Sequence, residues 1–276
     1  MYLFHRSSDI IHYLKAMHQP DRNIGLVPVS RDLHDGHIAL IKHSLKMNTC
    51  TICAILCGID MENGTDSLGK DIDLLASLEV DALFLPPREK LFPAQEDAAS
   101  DWDFGLLDQV MEGEFRLGHF AELATTIKRL LDIVQPQTLL WGQKNFQECI
   151  IIRRLLEQTH SQVRLTICPI IREADGLAFS DQNQHLTTEN RAKASVIFET
   201  LQAGKDMLDD FPPEEIERFA LGQLASYGFR PEYFEIVDGN NLEPVENPAT
   251  APFIVACTAV WAGEVRLTDN MIWKAV

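Results

Sequence analysis

The sequence predicts an α/β protein, with a doubly wound parallel sheet over residues 1–170 and a smaller α+β domain over 171–276. Three observations predict it. Short runs with the texture of buried strands alternate with stretches whose apolar residues recur at helical spacing, and such alternation builds a parallel sheet with helices on both faces. After about Ile171 the texture changes to helical patterns followed by strand-like runs joined by a turn. At 276 residues the chain is long enough to bury a large core in one or two domains.

The elements follow in order. Ile24-Gly25-Leu26-Val27-Pro28-Val29 reads as a buried strand closed by a proline. Ile38, Leu40, Ile41 and Leu45 then set a helix over 36–47. A second buried strand covers 50–57, a helix lies near 71–78, and a third strand covers 82–85. A helix over 119–134, a strand at 138–141, a helix over 146–158 and a strand at 163–167 continue the alternation. Beyond them, a helix over 187–201 is capped by Thr187 and closed by Gly204, and another runs over 213–225 until Tyr227-Gly228. Residues 234–237 and 252–261 read as strands, with Ala262-Gly263-Glu264 a tight turn into 265–267. The segment 95–103 holds four acidic residues and is expected to be a mobile loop.

A formal net charge of -17 excludes nucleic acid as the expected partner, because no basic patch exists to displace counterions from phosphates. An anionic substrate must therefore be drawn by local positive groups against an unfavourable mean field. No apolar run approaches the ~20 residues of a membrane span. Met1-Tyr2-Leu3-Phe4-His5-Arg6 lacks the apolar core of a signal peptide, so a cytoplasmic protein is expected. Six cysteines fit that compartment as reduced core thiols. Cys50 and Cys53 point to opposite faces of their strand and cannot share a metal, so no zinc site is expected.

The chemistry concentrates at His34-Asp35-Gly36-His37, between the first strand and its helix. Histidines three apart at a helix start face roughly the same way. Backbone N–H groups and the positive end of the helix dipole make that place an anion site, and two imidazoles add donors. Gly36 lets a phosphate approach the backbone.

Further segments recur in a fixed order. Glu112-Gly113 and Gly118-His119-Phe120 come first, then Leu140-Trp141-Gly142-Gln143-Lys144-Asn145-Phe146-Gln147. Pro169-Ile170-Ile171-Arg172-Glu173-Ala174-Asp175-Gly176-Leu177-Ala178-Phe179-Ser180 follows, and Trp261 to Asn270 closes the series. With the histidine pair, these segments resemble the pantothenate synthetase family, ATP-dependent ligases that join pantoate to β-alanine. The resemblance covers nearly the whole chain. It implies a Rossmann-like nucleotidyltransferase domain over 1–170, a small C-terminal domain, a site in the cleft between them, and a homodimer. Small-molecule acid and amine substrates, ATP and Mg²⁺ are implied with it.

Residue by residue, the resemblance makes His34, His37 and Lys144 the catalytic phosphate ligands. Pro28, Ser30, Gly142, Asn145, Ser180, Asp181 and Gln182 join them around ATP, and Gln147 meets the acid substrate. Arg172 and Asp175 match the run leading to the phosphate loop, or pair structurally.

The departures are as informative. The family's Pro-Thr-Met-Gly is Pro28-Val29-Ser30-Arg31 here. Its Asn-Pro-x-Gln-Phe segment is replaced around Gly58-Ile59-Asp60-Met61-Glu62, so Gly58 and Met61 stand in a rebuilt acid pocket without the amides that pair pantoate's polar groups. Its Tyr-Pro-Arg is missing near 64–67, and its Lys-Asp is Lys144-Asn145. Its Ser-Ser-Arg-Asn phosphate loop is Ser180-Asp181-Gln182-Asn183, and the Arg-Gly after His119-Phe120 is Ala121-Glu122. Losing one positioned donor to a transition-state charge costs ~10²–10³ in rate. At the family's acidic stretch stands Lys70-Asp71, which makes a protein ligand for Mg²⁺ doubtful. Two classes of function therefore compete: an AMP-forming acid–amine ligase, whose acid is either pantoate bound by other groups or a different, more apolar carboxylic acid that suits Met61, and a non-catalytic relative that binds nucleotide or a partner.

Overall fold

The computed structural model describes residues 1–16, 23–56, 65–87 and 102–275. In chain order the first elements are β1 (Tyr2–Phe4), α1 (Ser7–Ala16), β2 (Ile24–Val29), α2 (Asp35–Met47), β3 (Cys50–Ile55), α3 (Thr65–Ser77) and β4 (Ala82–Phe84). Next come α4 (Glu112–Phe115), α5 (His119–Val134), β5 (Thr138–Gly142), α6 (Phe146–Gln158) and β6 (Arg164–Cys168). The remainder is α7 (Thr188–Lys193), α8 (Val196–Asp206), α9 (Pro213–Ser226), β7 (Arg230–Asp238), β8 (Phe253–Ala262) and β9 (Val265–Ala275), with short 3₁₀ turns at Gly105–Asp108 and Asp181–His185.

These residues form two compact units that interleave along the chain. The first is Met1–Asp103, Leu117–Gly142 and Ile151–Cys168; the second is Phe104–Arg116, Gln143–Ile150 and Pro169–Val276. The expected division at 170/171 is thus interrupted by two earlier stretches that belong with the C-terminal part. Their apolar side chains explain this: Met111, Phe146 and Ile150 pack into one cluster with Val255, Cys257 and Ala259 of β8.

In the first unit all six strands are parallel, in the order β1-β4-β3-β2-β5-β6. Val27, Val29, Cys53, Ile55 and Leu83 share one face with Leu40 and Ile41 of α2 and Leu75 of α3. The alternate residues Leu26 and Ile52, equally buried, turn to the opposite face. Helices α1 and α5 pack together and bury Ile10, Ile127 and Leu130. Strand order reverses between β2 and β5, so their carboxyl ends form the switch point where doubly wound sheets bind ligands. Pro28 helps to open it. Val29 O accepts from Leu56 N on the β3 side, so Pro28 faces β5, beyond the last β2–β5 partners, Leu26 and Leu139, where its missing N–H breaks no ladder bond.

In the second unit β7, β8 and β9 make an antiparallel meander. Ile254, Ala256, Val260 and Ala262 of β8 enter one core with α8 and α9, while Val255, Cys257 and Ala259 enter the other. Period-two alternation with both faces covered explains why β8 reads as continuously apolar. Gly263, at φ 65, makes the expected tight turn from Ala262 to Val265.

Several sequence expectations need correction. The helix over 187–201 is two helices, α7 and α8, broken at Ala194-Ser195; Thr187 does cap the first by accepting the Asn190 N–H. Gly204 does not close the second but lies within it, because a Cβ there would meet the Trp273 ring at 2.9 Å. The strand beginning at Val265 runs to Ala275, and α3 begins at Thr65, well before 71. Cys57, Gly58, Met61 and residues 95–101 lie outside the described residues. Cys50, Cys53, Cys149, Cys168 and Cys257 are all buried; burial pushes the Cys168 thiol up to about 11 and the Cys53 and Cys257 thiols further still. No helix among the described residues is long and apolar enough to cross a membrane.

Candidate active site

The histidine turn lies in the first unit, where the chain leaves β2 for α2. His34 is the helix N-cap: its Nδ1 accepts the Gly36 N–H at 3.1 Å, and His37 Nδ1 accepts the His34 N–H at 3.4 Å. This is a reciprocal capping box built from imidazoles rather than from a hydroxyl and a carboxylate. Because each Nδ1 accepts, the hydrogen-bond pattern assigns both imidazole protons to Nε2. His37 Nε2 stands 3.3 Å from Ser30 Oγ, and the two rings lie 4.0 Å apart between centroids. The pair is thereby held with its N–H edges at a helix N-terminus, an arrangement suited to phosphate oxygens.

A buried carboxylate fixes the turn from below. Asp71 of α3 accepts the Asp32 N–H at 3.0 Å and the Leu33 N–H at 2.9 Å, one on each oxygen. Asp32 sits in the left-handed region at φ 58, and these two bonds help to stabilise that conformation. Sequence reasoning weighed Asp71 only as a metal ligand; its carboxylate instead holds backbone.

The lysine loop lies in the second unit. Lys144 is partly buried, and its Nζ donates to Thr268 Oγ1 at 3.3 Å. Burial lowers its pKa below the usual lysine value, against the opposing pull of Asp269, Asp181, Glu148 and Glu112. Asn145 donates to Glu148 Oε2 at 2.9 Å. Gln147 is buried and nearly saturated: Nε2 donates to Leu107 O at 2.7 Å and Val110 O at 2.9 Å, and Oε1 accepts the Glu112 N–H at 3.0 Å. One lone pair on Oε1 remains beyond these three bonds.

The 180 loop belongs to the same unit. Ser180 caps the 3₁₀ turn by accepting the Gln182 N–H at 3.2 Å, and its hydroxyl donates to the exposed Asp181 at 3.2 Å. Asp181 is near enough for its charge to act on Lys144. Arg172 and Asp175 resolve as structural pairs. Arg172 binds Asp269 through two bonds of 2.6 and 3.0 Å and lies over the Phe198 ring, while Asp175 pairs with Arg191 at 2.5 Å.

A third cluster, missed in the sequence, surrounds Glu112. Arg266 holds its carboxylate with bonds of 2.7 and 2.9 Å and also binds Glu232 at 2.8 Å; Tyr233 donates to Glu112 at 2.8 Å, and Trp261 donates to Glu232. Burial alone raises the Glu112 carboxyl, but Arg266 outweighs it and holds the group below the usual glutamate value. Burial and the Glu112 charge push the Tyr233 hydroxyl well up, so it serves as a donor. The sequence signal was present only as the charges in Glu112-Gly113 and Trp261 to Asn270, which are far apart in the chain.

Thus Pro28, Ser30, His34, His37 and Gly142 gather at the carboxyl ends of β2 and β5 in the first unit, whereas Lys144, Asn145, Gln147 and Asp181 belong to the second. Comparison of the sequence with known proteins returns a family model and curated relatives that agree. A family model described as pantoate-beta-alanine ligase matches residues 2–272. The curated pantothenate synthetase of Bacteroides fragilis is 34% identical over 282 residues, covering 99% of each chain, and that of Porphyromonas gingivalis is 34% identical over 284 residues, covering 99% of this chain and 100% of the relative. Among solved structures, a pantothenate synthetase from Thermus thermophilus matches with a TM-score of 0.86 at 28% identity, over 99% of this chain and 100% of that one. A pantoate-beta-alanine ligase from Francisella tularensis, complexed with beta-gamma ATP and beta-alanine, matches with a TM-score of 0.77 at 26% identity, over 99% and 98%.

Proposed function

Because the chain belongs to the pantoate-beta-alanine ligase family, we propose that it is an ATP-dependent ligase forming a carbon–nitrogen bond between a small carboxylic acid and a small amine. The acid's carboxylate oxygen attacks the α-phosphorus of ATP and pyrophosphate leaves. The amine nitrogen then attacks the acyl carbon of the adenylate, AMP leaves with the carbonyl-bound oxygen, and the nitrogen loses a proton. Positioning and charge neutralisation supply most of the barrier reduction in such a reaction.

The observation that supports this reading is the histidine capping box at the switch point, which holds two imidazoles at a helix N-terminus, with His37 Nε2 beside Ser30 Oγ. His34 and His37 are assigned to the triphosphate, with Pro28, Ser30 and Gly142 lining it. Lys144 supplies a mobile ammonium to the same phosphates. Asn145, Ser180 and Gln182 are assigned to ATP as well. Mg²⁺ enters on the polyphosphate: both Asp71 oxygens are engaged, and among the described residues no three acidic, histidine or cysteine side chains gather to hold a metal.

The acid pocket is read as rebuilt. Gln147 offers a single acceptor, and Gly58 and Met61 replace the family's amides, which favours a more apolar acid than pantoate. A site that loses hydrogen-bonding partners for a polar substrate loses ~10⁴–10⁵ in discrimination in favourable cases. The protein is further proposed to act in the cytoplasm as a homodimer, as resemblance to the family implies; a monomer mass by light scattering at micromolar concentration refutes the latter.

Acid-dependent exchange of pyrophosphate into ATP, run over pantoate and a panel of carboxylic acids, is the test. Exchange with an acid other than pantoate is expected. A rival reading, a non-catalytic relative, draws on the exposed Asp181 carboxylate whose charge reaches Lys144. Absence of exchange with every acid counts heavily against catalysis and favours that rival, and rescue of a pantothenate auxotroph eliminates it.

A further inference from the structure

One face of β9 carries the lysine loop. Arg266, Thr268 and Asn270 alternate along the strand and so share a face. Asn270, 2% exposed, donates Nδ2 to two consecutive carbonyl oxygens, Gln143 O and Lys144 O, at 2.9 Å each. Its Oδ1 accepts from Gln143 Nε2 at 3.1 Å. Three of the four hydrogen-bonding positions of the amide therefore address one dipeptide. The Asn270 backbone is fixed in turn: its N–H donates to Asp269 Oδ1 at 2.7 Å, and Arg172 donates to its carbonyl oxygen at 3.1 Å while pairing with Asp269. At the other end of the lysine side chain, Nζ meets Thr268 Oγ1.

We propose that Asn270 is a positioning residue for Lys144, fixing the peptide carbonyls on which that side chain is mounted so that its ammonium meets the phosphates of ATP, with Thr268 steadying the ammonium before ATP arrives. The inference rests on the reading of Lys144 as a phosphate ligand. A residue serving only the hairpin would bond within its own sheet. The Asn270 side chain instead bonds a loop 126 and 127 residues away in sequence.

Titration calorimetry with ATP and with AMP on the full chain tests it, using Asn270→Ser, Thr268→Val, Lys144→Ala and the pairs with Lys144→Ala. Asn270→Ser is expected to weaken ATP binding about tenfold, a modest displacement of a charged group, and AMP binding less than twofold. Thr268→Val, which keeps the side-chain shape should Asn270→Ser not fold, is expected to shift ATP affinity two- to threefold. Both effects are expected to vanish in the Lys144→Ala background, as residues acting through one another are non-additive. Equal losses of ATP affinity with and without Lys144 overturn the proposal, as does an unchanged affinity in a folded Asn270→Ser protein or an equal loss for AMP. If Lys144→Ala alone leaves ATP binding unchanged, the phosphate assignment of Lys144 is itself wrong and the positioning role falls with it.

Discussion

The histidine turn and the lysine loop are assigned related electrostatic work, yet they are held in opposite ways. The turn is built largely from its own residues: His34 accepts the Gly36 N–H, His37 accepts the His34 N–H and stands beside Ser30 seven residues back, and α3 adds Asp71 and Ser67, which bond Asp32 and Leu33. Around the loop, Asn270 and Thr268 reach back from β9 to Gln143 and Lys144, and Gln147 is locked against residues 107–112. A locally built motif is robust and self-announcing, whereas one assembled from distant strands needs the whole unit to be folded first.

The sharpest way to break the comparison is to remove one charge from each region. His37→Ala and Lys144→Ala are each expected to lower acid-dependent pyrophosphate exchange by ~10²–10³, the usual cost of one positioned donor. If only one of them matters, the two regions do not serve the same polyphosphate.

Scaffolding comes next. Arg266→Met leaves Glu112 and Glu232 without their guanidinium and is expected to cost about 3 kcal/mol in a urea titration, the low end for breaking a buried pair, since the side chains keep 14–19% of their exposure. The pH response checks the cause. Glu112 is held below its ordinary value, so its contribution is present above the unfolded pKa, near pH 4.3, and is lost as pH falls through the lowered folded value. In Arg266→Met that acid limb is expected to move to higher pH.

Asp71→Ala tests the support that the turn's backbone draws from α3. It orphans two backbone N–H groups and is expected to cost about 2 kcal/mol of stability by the same titration. A cost below about 0.5 kcal/mol means that the capping box and the Ser67 bond to Asp32 hold the turn without Asp71.

Asp181→Ser is expected to tighten ATP binding severalfold and leave AMP binding nearly unchanged, because a carboxylate near Lys144 and the phosphates is removed; charges ~4 Å apart interact by about 4 kcal/mol at an effective dielectric near 20, and exposure at Asp181 screens most of that. Unchanged ATP affinity by calorimetry places the 180 loop away from the triphosphate.

The smallest effect serves as a control outside both regions. Burial first, then Glu235 and Glu214, raise the Glu217 carboxyl, with the Ile236 N–H opposing. A raised acid contributes stability that is complete below the unfolded value near pH 4.3 and is lost as pH rises through the folded one. Glu217→Gln keeps the acceptor for Ile236 and is expected to gain roughly 0.5 kcal/mol at pH 7, after allowing for solvent screening, and nothing at pH 4. Thermal melts at the two pH values read it.

The same contrast explains what the sequence disclosed. The strands at 24–29 and 138–142 and the helices at 119–134 and 146–158 were legible because each is one uninterrupted period with a clear start and stop. The histidine turn was legible because both imidazoles and the helix start fall within four residues. Helices α7 and α8 merged into one expected helix because their apolar spacing runs through the break at Ala194-Ser195. Gly204 misled because glycine marks close contact as well as helix ends, and here Trp273 provides the contact. The mount of Lys144 could not be read at all: nothing local to Gln143 or Lys144 indicates that their carbonyl oxygens bond to Asn270.

The interleaving of the two units has a consequence for the chain as it is made. A chain emerging at about 5–20 residues per second reaches Asn270 roughly 6–25 s after Lys144 has been added. Through that interval Met111, Phe146 and Ile150 have no β8 to cover them, and the loop has no amide to receive its carbonyls. The histidine turn is complete long before. Nascent protein therefore passes through a stage with the histidine turn formed, the lysine loop without its support and an apolar face waiting, a stage at which chaperone capture is favoured until β9 closes the sheet.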